Sequence, residues 1–157
     1  MEKPIRVLVD QPEIPGNTGN PIRLAAVTGV ELHVAEPLGF DFTDAKLRRA
    51  GLDYHDLTRI TVHPSLEQAW DALAPERVFA FTGEGTSSHT DVRYRGGDVL
   101  LFGRESTGLD EHVKVDPRVT ATVRIPMLPS RRSLNLANSV SIAVYEAWRQ
   151  QGFPSAV

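Results

Sequence analysis

Residues 5–35 read IRVLVDQPEIPGNTGNPIRLAAVTGVELHVA, and this stretch decides the fold. A β-branched run at 5–9 ends at Asp10 and reads as a first, central strand. Residues 11–20, dense in Pro, Gly and Asn, read as a loop. A helix follows, with Asn20 as its N-cap and Pro21 at the first helical position, or with Asn17 as the cap one turn earlier. Gly29 supplies the C-cap, and ELHVA at 31–35 is a second strand. Strand, loop, helix, strand is a crossover unit, so the expected class is α/β with a mostly parallel sheet flanked by helices.

The rest of the chain extends that pattern. Residues 36–40 form a loop, and residues 43–50 read as a short basic helix ended by Gly51. Residues 60–62 are a strand, followed by a helix over 65–73 with Ser65 as N-cap and Leu66, Ala69, Trp70 and Leu73 at one-face spacing. Further strands are expected at 77–82, 98–103 and 121–125. The 98–103 run is apolar without alternation, as a strand covered on both faces requires. The Gly/Ser-rich residues 83–89 read as a loop, and residues 107–113 as a turn or short helix. A last helix opens at Leu134–Asn135 and continues to about Gln150, with an apolar period through Leu136, Val140, Ala143, Val144 and Ala147. Its first turns carry Asn135, Asn138, Ser139 and Ser141, which favour caps and turns over helix interiors. Such a conflict between propensity and position points to a functional site.

Composition bounds the answer. A chain of 157 residues fits one domain, 1–157, with 41% hydrophobic and 24% charged residues, ordinary for a globular protein. No apolar run reaches a membrane span, and the N-terminus does not read as a signal peptide, so no membrane partner and a cytoplasmic location are expected. The absence of cysteine excludes disulfides, thiolate metal sites and a cysteine nucleophile. The net charge is −3, yet basic residues cluster at Lys46, Arg48 and Arg49, at Arg93 and Arg95, and at Arg131 and Arg132. Local basic patches on an acidic body can bind phosphate backbones, although each cluster also reads as a solvated surface.

Two loops follow strands where open α/β sheets place ligands. The first holds Asn17, Thr18, Gly19 and Asn20, with Arg23 on the first turn beside it; it is neither a G-x-G-x-x-G fingerprint nor a P-loop, and its residues also serve as plain turn formers. The second is GRESTGL at 103–109, where a glycine at a strand end admits a ligand close to the backbone. A simple strand–turn–helix corner fits it equally. The histidines at 33, 55, 63, 89 and 112 show no metal-ligand spacing, and no G-x-S-x-G elbow is present, so metal and hydrolase chemistry are not expected. Direct transfer from an activated donor remains as a natural chemistry.

Three motifs stand in order: NTGNxxR at 17–23, FGxExxGL at 102–109, and IPM…SxNLxNxV at 125–140. Together they resemble the SPOUT superfamily of S-adenosylmethionine-dependent RNA methyltransferases, in its 2′-O-methylating branch. The likeness is closest to the group that acts on cytidine or uridine 34 of tRNA, and AGLDYH at 50–55 and YEAWRQ at 145–150 extend it over nearly the whole chain. The resemblance implies an α/β fold with a C-terminal deep trefoil knot, one of the rare exceptions to unknotted chains. It implies S-adenosylmethionine, without metal, held by Phe81, Gly103, Ile125, Met127, Ser133 and Leu134. It implies a homodimer through the first and last helices, each site completed by the partner, with a tRNA anticodon stem-loop as substrate.

Catalysis is implied at Arg23 and Asn135, and RNA contact at Asn17, Asn20, Lys46, Glu105 and Tyr145, with Glu105 also fixing the loop that Gly103 opens. For Arg23 the family role is activation of the 2′-hydroxyl. A guanidinium, which holds its protons, can instead clamp the neighbouring phosphate. Pro21 departs from the motif and should move the helix start toward Asn20 while leaving Arg23 on the site. The same chemistry on another RNA, and a silent knotted RNA-binding module, are the competing expectations.

Overall fold

The computed structural model describes residues 3–14, 16–40, 60–129 and 134–157. The basic helix expected at 43–50, Lys46, the 50–55 motif and the serine-arginine run that includes Ser133 lie outside the described residues. Among the described residues seven strands form one sheet: β1 (Arg6–Asp10), β2 (Glu31–Ala35), β3 (Ile60–His63), β4 (Val78–Phe81), β5 (Ser87–Ser88), β6 (Val99–Phe102) and β7 (Ala121–Arg124). Their order is β3-β2-β1-β6-β4-β7-β5, and every pairing between them is parallel.

Helices cover both faces, as a parallel sheet requires. On one face α1 (Gly16–Thr28) and α4 (Leu136–Gln150) pack against Val7, Val9, Leu32, Val34, Leu100 and Phe102. On the other, α2 (Leu66–Leu73) and α3 (Glu111–Lys114) cover Leu8, Val78, Ala80, Val99 and Leu101. Both faces of β4 and β6 are buried at every residue, which explains the unbroken apolar runs. Ser65 caps α2 by accepting from the Gln68 N–H at 3.1 Å, and Asn135 caps α4 in the same way from Asn138 at 3.2 Å. Gly29 ends α1 at a φ of +82°, and its N–H reaches the Ala25 carbonyl.

Two expectations need correction. Residues 83–89 are not all loop, because Ser87 and Ser88 add an edge strand to β7 through backbone pairing alone. A two-residue strand of serines leaves no hydrophobic period to read. The larger difference is at α1, which starts at Gly16 and carries Pro21 inside it. Proline removes the N–H that would meet the Asn17 carbonyl, a cost that normally ends a helix. Here Thr18, Pro21, Ile22 and Ala25 form a buried stripe at i, i+3, i+4 and i+7, so the proline ring is itself packing surface.

A buried relay joins β2 and β3. His33 Nδ1 lies 2.9 Å from His63 Nε2, and His33 Nε2 lies 3.1 Å from Glu31 Oε1. With the carboxylate accepting from His33 Nε2–H, His33 Nδ1 accepts from His63 Nε2–H, which assigns both tautomers. Burial, and then the neighbouring His33, push the His63 pKa below the ordinary 6.5. Below that value the unfolded chain binds more protons than the folded one, so the contribution is complete above about pH 6.5 and is lost as pH falls toward the lower folded value. The unfolding temperature should therefore fall between about pH 7.5 and about pH 5.5. His63→Gln should flatten that slope; an unchanged slope in thermal melts contradicts the assignment.

Candidate active site

The carboxyl ends of β1, β6, β4 and β7 meet in a cleft of about 550 Å³. Strand order reverses beside β1, and such switch points are where α/β sheets take ligands. Three groups of residues wall the cleft: 82–84 after β4, 103–109 after β6, and Ile125 and Met127 after β7 together with Leu134, Asn135 and the start of α4. Its apolar floor includes Phe81 and Phe102, stacked at 4.7 Å between ring centroids, with Leu109, Ile125 and Leu136. Gly103 makes the close approach possible: a Cβ there would collide with the Gly108 carbonyl and the Leu109 amide. The loop is further pinched by mutual bonds between Arg104 and Gly108, 2.9 Å and 3.3 Å.

Two carboxylates lock this loop to the one after β1. Glu105 accepts the N–H of Glu13 at 2.7 Å and of Ile14 at 3.1 Å, and the Asn17 side-chain amide lies 3.5 Å away. In return the Glu13 carboxylate accepts the Ser106 N–H at 3.0 Å and the Ser106 hydroxyl at 2.6 Å. Those bonds hold the Glu13 carboxyl below the usual carboxylate range. The arrangement places an anion ahead of the N-terminus of α1, where the helix dipole favours it.

Arg104 completes the corner. All its N–H groups are directed at Gln11, Thr107 and Asp110, at 3.0–3.3 Å. Its work is to brace the loop, with no donor left for a ligand.

Of the residues singled out in the sequence, Asn17, Phe81, Gly103, Glu105, Ile125, Met127, Leu134 and Asn135 all line the cleft. Glu105, expected to face RNA, spends its carboxylate on the chain itself. Asn135 uses Oδ1 as the α4 cap, so its amide nitrogen is the end that can donate into the cleft. Arg23 and Asn20 are exposed on α1 and lie outside the cleft lining. Tyr145 is exposed on α4, edge-on to Trp148, in a separate surface hollow with Val27 and Phe153. Among the polar residues opening α4, Asn135 and Ser139 line the cleft, whereas the Ser141 hydroxyl bonds back to the Ala137 carbonyl at 2.9 Å.

Sequence reasoning missed Thr82, Glu84 and Lys114 in the cleft walls, and the role of Glu13. Their spacing carries no motif; only the PEIPGNTGN loop as a whole marked Glu13 out. Among the described residues no group of His, Asp and Glu could hold a metal ion, and no helix is long and apolar enough to cross a membrane.

A glycine-lined cleft with an aromatic floor, across the carboxyl edge of a parallel sheet, is the arrangement with which α/β proteins take up nucleotide-sized ligands. The model of the SpoU rRNA methylase family matches residues 4–145, and the chain belongs to that family. The motif resemblance to 2′-O-methylating RNA methyltransferases is thereby borne out. The chain is 49% identical over 153 residues to the tRNA (cytidine(34)-2′-O)-methyltransferase of Escherichia coli K12, covering 98% of each. A solved structure concerned with the 2-OH methylation of C/U34 on tRNA is 45% identical, with a TM-score of 0.87 over 97% of this chain and 93% of that one. The SpoU methyltransferase AviRb of Streptomyces viridochromogenes, solved with AdoMet, is 30% identical with a TM-score of 0.83, covering 96% of this chain and 59% of that one.

Glu105→Ala should lower unfolding stability by about 1–2 kcal/mol through the lost charge-assisted bonds, measured by denaturant titration. No change would show that the loops hold each other without it.

Proposed function

We propose that this chain is an S-adenosylmethionine-dependent methyltransferase acting on the ribose 2′-hydroxyl of nucleotide 34 in tRNA. One observation carries the reading: the cleft formed by Phe81, Gly103, Ile125, Met127, Leu134 and Asn135 assembles the second and third motifs at one ligand-sized site. The near-full-length identity to a tRNA (cytidine(34)-2′-O)-methyltransferase supports the substrate.

The residues fit such a donor. The aromatic and aliphatic floor suits an adenine ring, and the backbone of the Gly103 loop and of Ile125, Met127 and Leu134 suits its polar edges. When bound, the donor supplies an electrophilic methyl group on a sulfonium, which needs no metal and no covalent enzyme intermediate. The chain's work is to orient the attacking hydroxyl and assist loss of its proton. Asn135 donates through its amide nitrogen to the hydroxyl or nucleotide. Met127 and Leu134, both exposed at the cleft, exclude water when substrate covers them. Arg23 activates the hydroxyl or clamps the adjacent phosphate; Ser133 belongs to the donor loop, and Asn17, Asn20, Lys46 and Tyr145 to the tRNA contact, with the anticodon stem-loop as the element bound.

Arg23 stands outside the lining of its own cleft, and a homodimer resolves this. Val27, Ile142 and Tyr145 are exposed apolar side chains on α1 and α4, a face suited to a second copy. Pairing there lets the partner complete each site. We further infer one domain spanning the chain, a trefoil knot through which the C-terminal segment threads, and a cytoplasmic location, where tRNA is modified.

The test incubates the protein with labelled S-adenosylmethionine and tRNA and maps methylated ribose by nucleoside mass spectrometry. The expected product is 2′-O-methylation at position 34, absent when that nucleotide is 2′-deoxy. Methylation elsewhere reassigns the RNA, and donor binding without transfer would favour a silent binding module. Arg23→Ala should reduce turnover by at least about 100-fold with donor affinity near that of the wild type; a matching loss of donor binding contradicts its placement.

A further inference from the structure

Two walls of the cleft are tied together by an ion pair outside the three motifs. Lys114 ends α3, and its ammonium lies 3.0 Å from Glu111 Oε1 on the same helix and 3.6 Å from Glu84 Oε2 on the loop after β4. Both Lys114 and Glu84 line the cleft. The Lys114 side chain is 15% exposed while the two glutamates are 81% and 83% exposed. The lysine stem is thus packed into the wall with its charge brought out between two carboxylates. The bond from Lys114 to Glu111, with burial opposing it, holds the ammonium above the usual lysine range, so it stays charged. The start of α3 is anchored as well, because Asp110 takes both guanidinium nitrogens of Arg104 from the Gly103 loop. The short helix therefore stands as a pillar between two loops that meet the ligand, fixed to one through Asp110 and to the other through Lys114.

We propose that the Glu84–Lys114 pair is a latch that fixes the loop after β4 against the methyl-donor cleft, with Lys114 as a positioning residue for the donor. The inference rests on the donor reading above. On one side of Glu84 the loop is fixed to β7 at Gly85, which lies against the Val123 backbone; on the cleft side a Cβ at Gly83 would meet no atom within 4 Å, and it is there that the pair adds its hold. A loop ordered before the ligand arrives does not have to be ordered by it, and the saving appears as donor affinity. A largely exposed pair has a modest effect, so the expected change is about two- to fivefold. It falls on donor binding and leaves the chemical step alone, since neither residue is assigned to the reacting hydroxyl.

The experiment measures binding of S-adenosylhomocysteine to the full chain by calorimetry, and turnover at saturating donor with tRNA. Lys114→Met and Glu84→Gln should each weaken binding by about two- to fivefold, and the double variant should be no weaker than either single one. Lys114→Arg should restore wild-type binding. Glu111→Gln, which removes only the partner on the same helix, should leave it unchanged. The turnover number and the KM for tRNA should not move in any of these variants.

Additive single effects, or unchanged binding in Lys114→Met, overturn the latch. A loss in Glu84→Gln that Lys114→Met does not reproduce would make Glu84 a direct ligand and overturn it too. A parallel loss of thermal stability in Lys114→Met without a binding change would reduce the pair to a structural contact. If the wild-type chain binds no S-adenosylhomocysteine, the donor reading fails and the latch with it; if the wild type binds and the variants bind equally, the latch alone fails.

Discussion

The arrangement of this chain depends on the reciprocal clasp between Glu105 and Glu13. Two backbone N–H groups of one loop enter a carboxylate of the other, and the N–H and hydroxyl of Ser106 enter the carboxylate returned. Hydrogen bonds to an ionised acceptor are roughly twice as strong as neutral ones, and here they act together over a few residues. The clasp bridges more than ninety positions of sequence and joins the loops after β1 and β6, the two strands between which the order of the sheet turns. It holds the residues that lead into α1.

Around that junction the parallel sheet does the rest. Strands covered on both faces present their carboxyl ends together, so loops distant in sequence reach one cleft without long insertions. The floor is rigid because Phe81 and Phe102 stack on neighbouring strands, and the wall is close because Gly103 has no side chain. Arg104 then spends every donor on bracing, which separates the residues that hold the site from those that can meet a ligand. Asn135 does both, capping α4 with its oxygen while its nitrogen is left to the cleft.

What could be read from the sequence was local. The strand at 98–103 and the helix capped by Ser65 announce themselves through runs, periods and caps that a few neighbouring residues define. The polar opening of α4 was also legible as a conflict, and Asn135 and Ser139 do reach the cleft. The start of α1 was not legible, because the buried stripe that admits Pro21 is set by the sheet beneath. Likewise β5 is made by backbone alone, and the pairing of Lys114 with Glu84 joins residues thirty apart that share no pattern. Tertiary contacts decided each of these, and a window of sequence does not contain them.

Residue-resolved hydrogen exchange on the wild-type chain and on Glu105→Ala tests the clasp most directly. The amides of Glu13, Ile14 and Ser106 should exchange slowly and at a common rate in the wild type, as one cooperative unit, and all three should become fast in the variant. Independent rates in the wild type, or a Ser106 amide still protected once the Glu105 carboxylate is gone, would contradict the account.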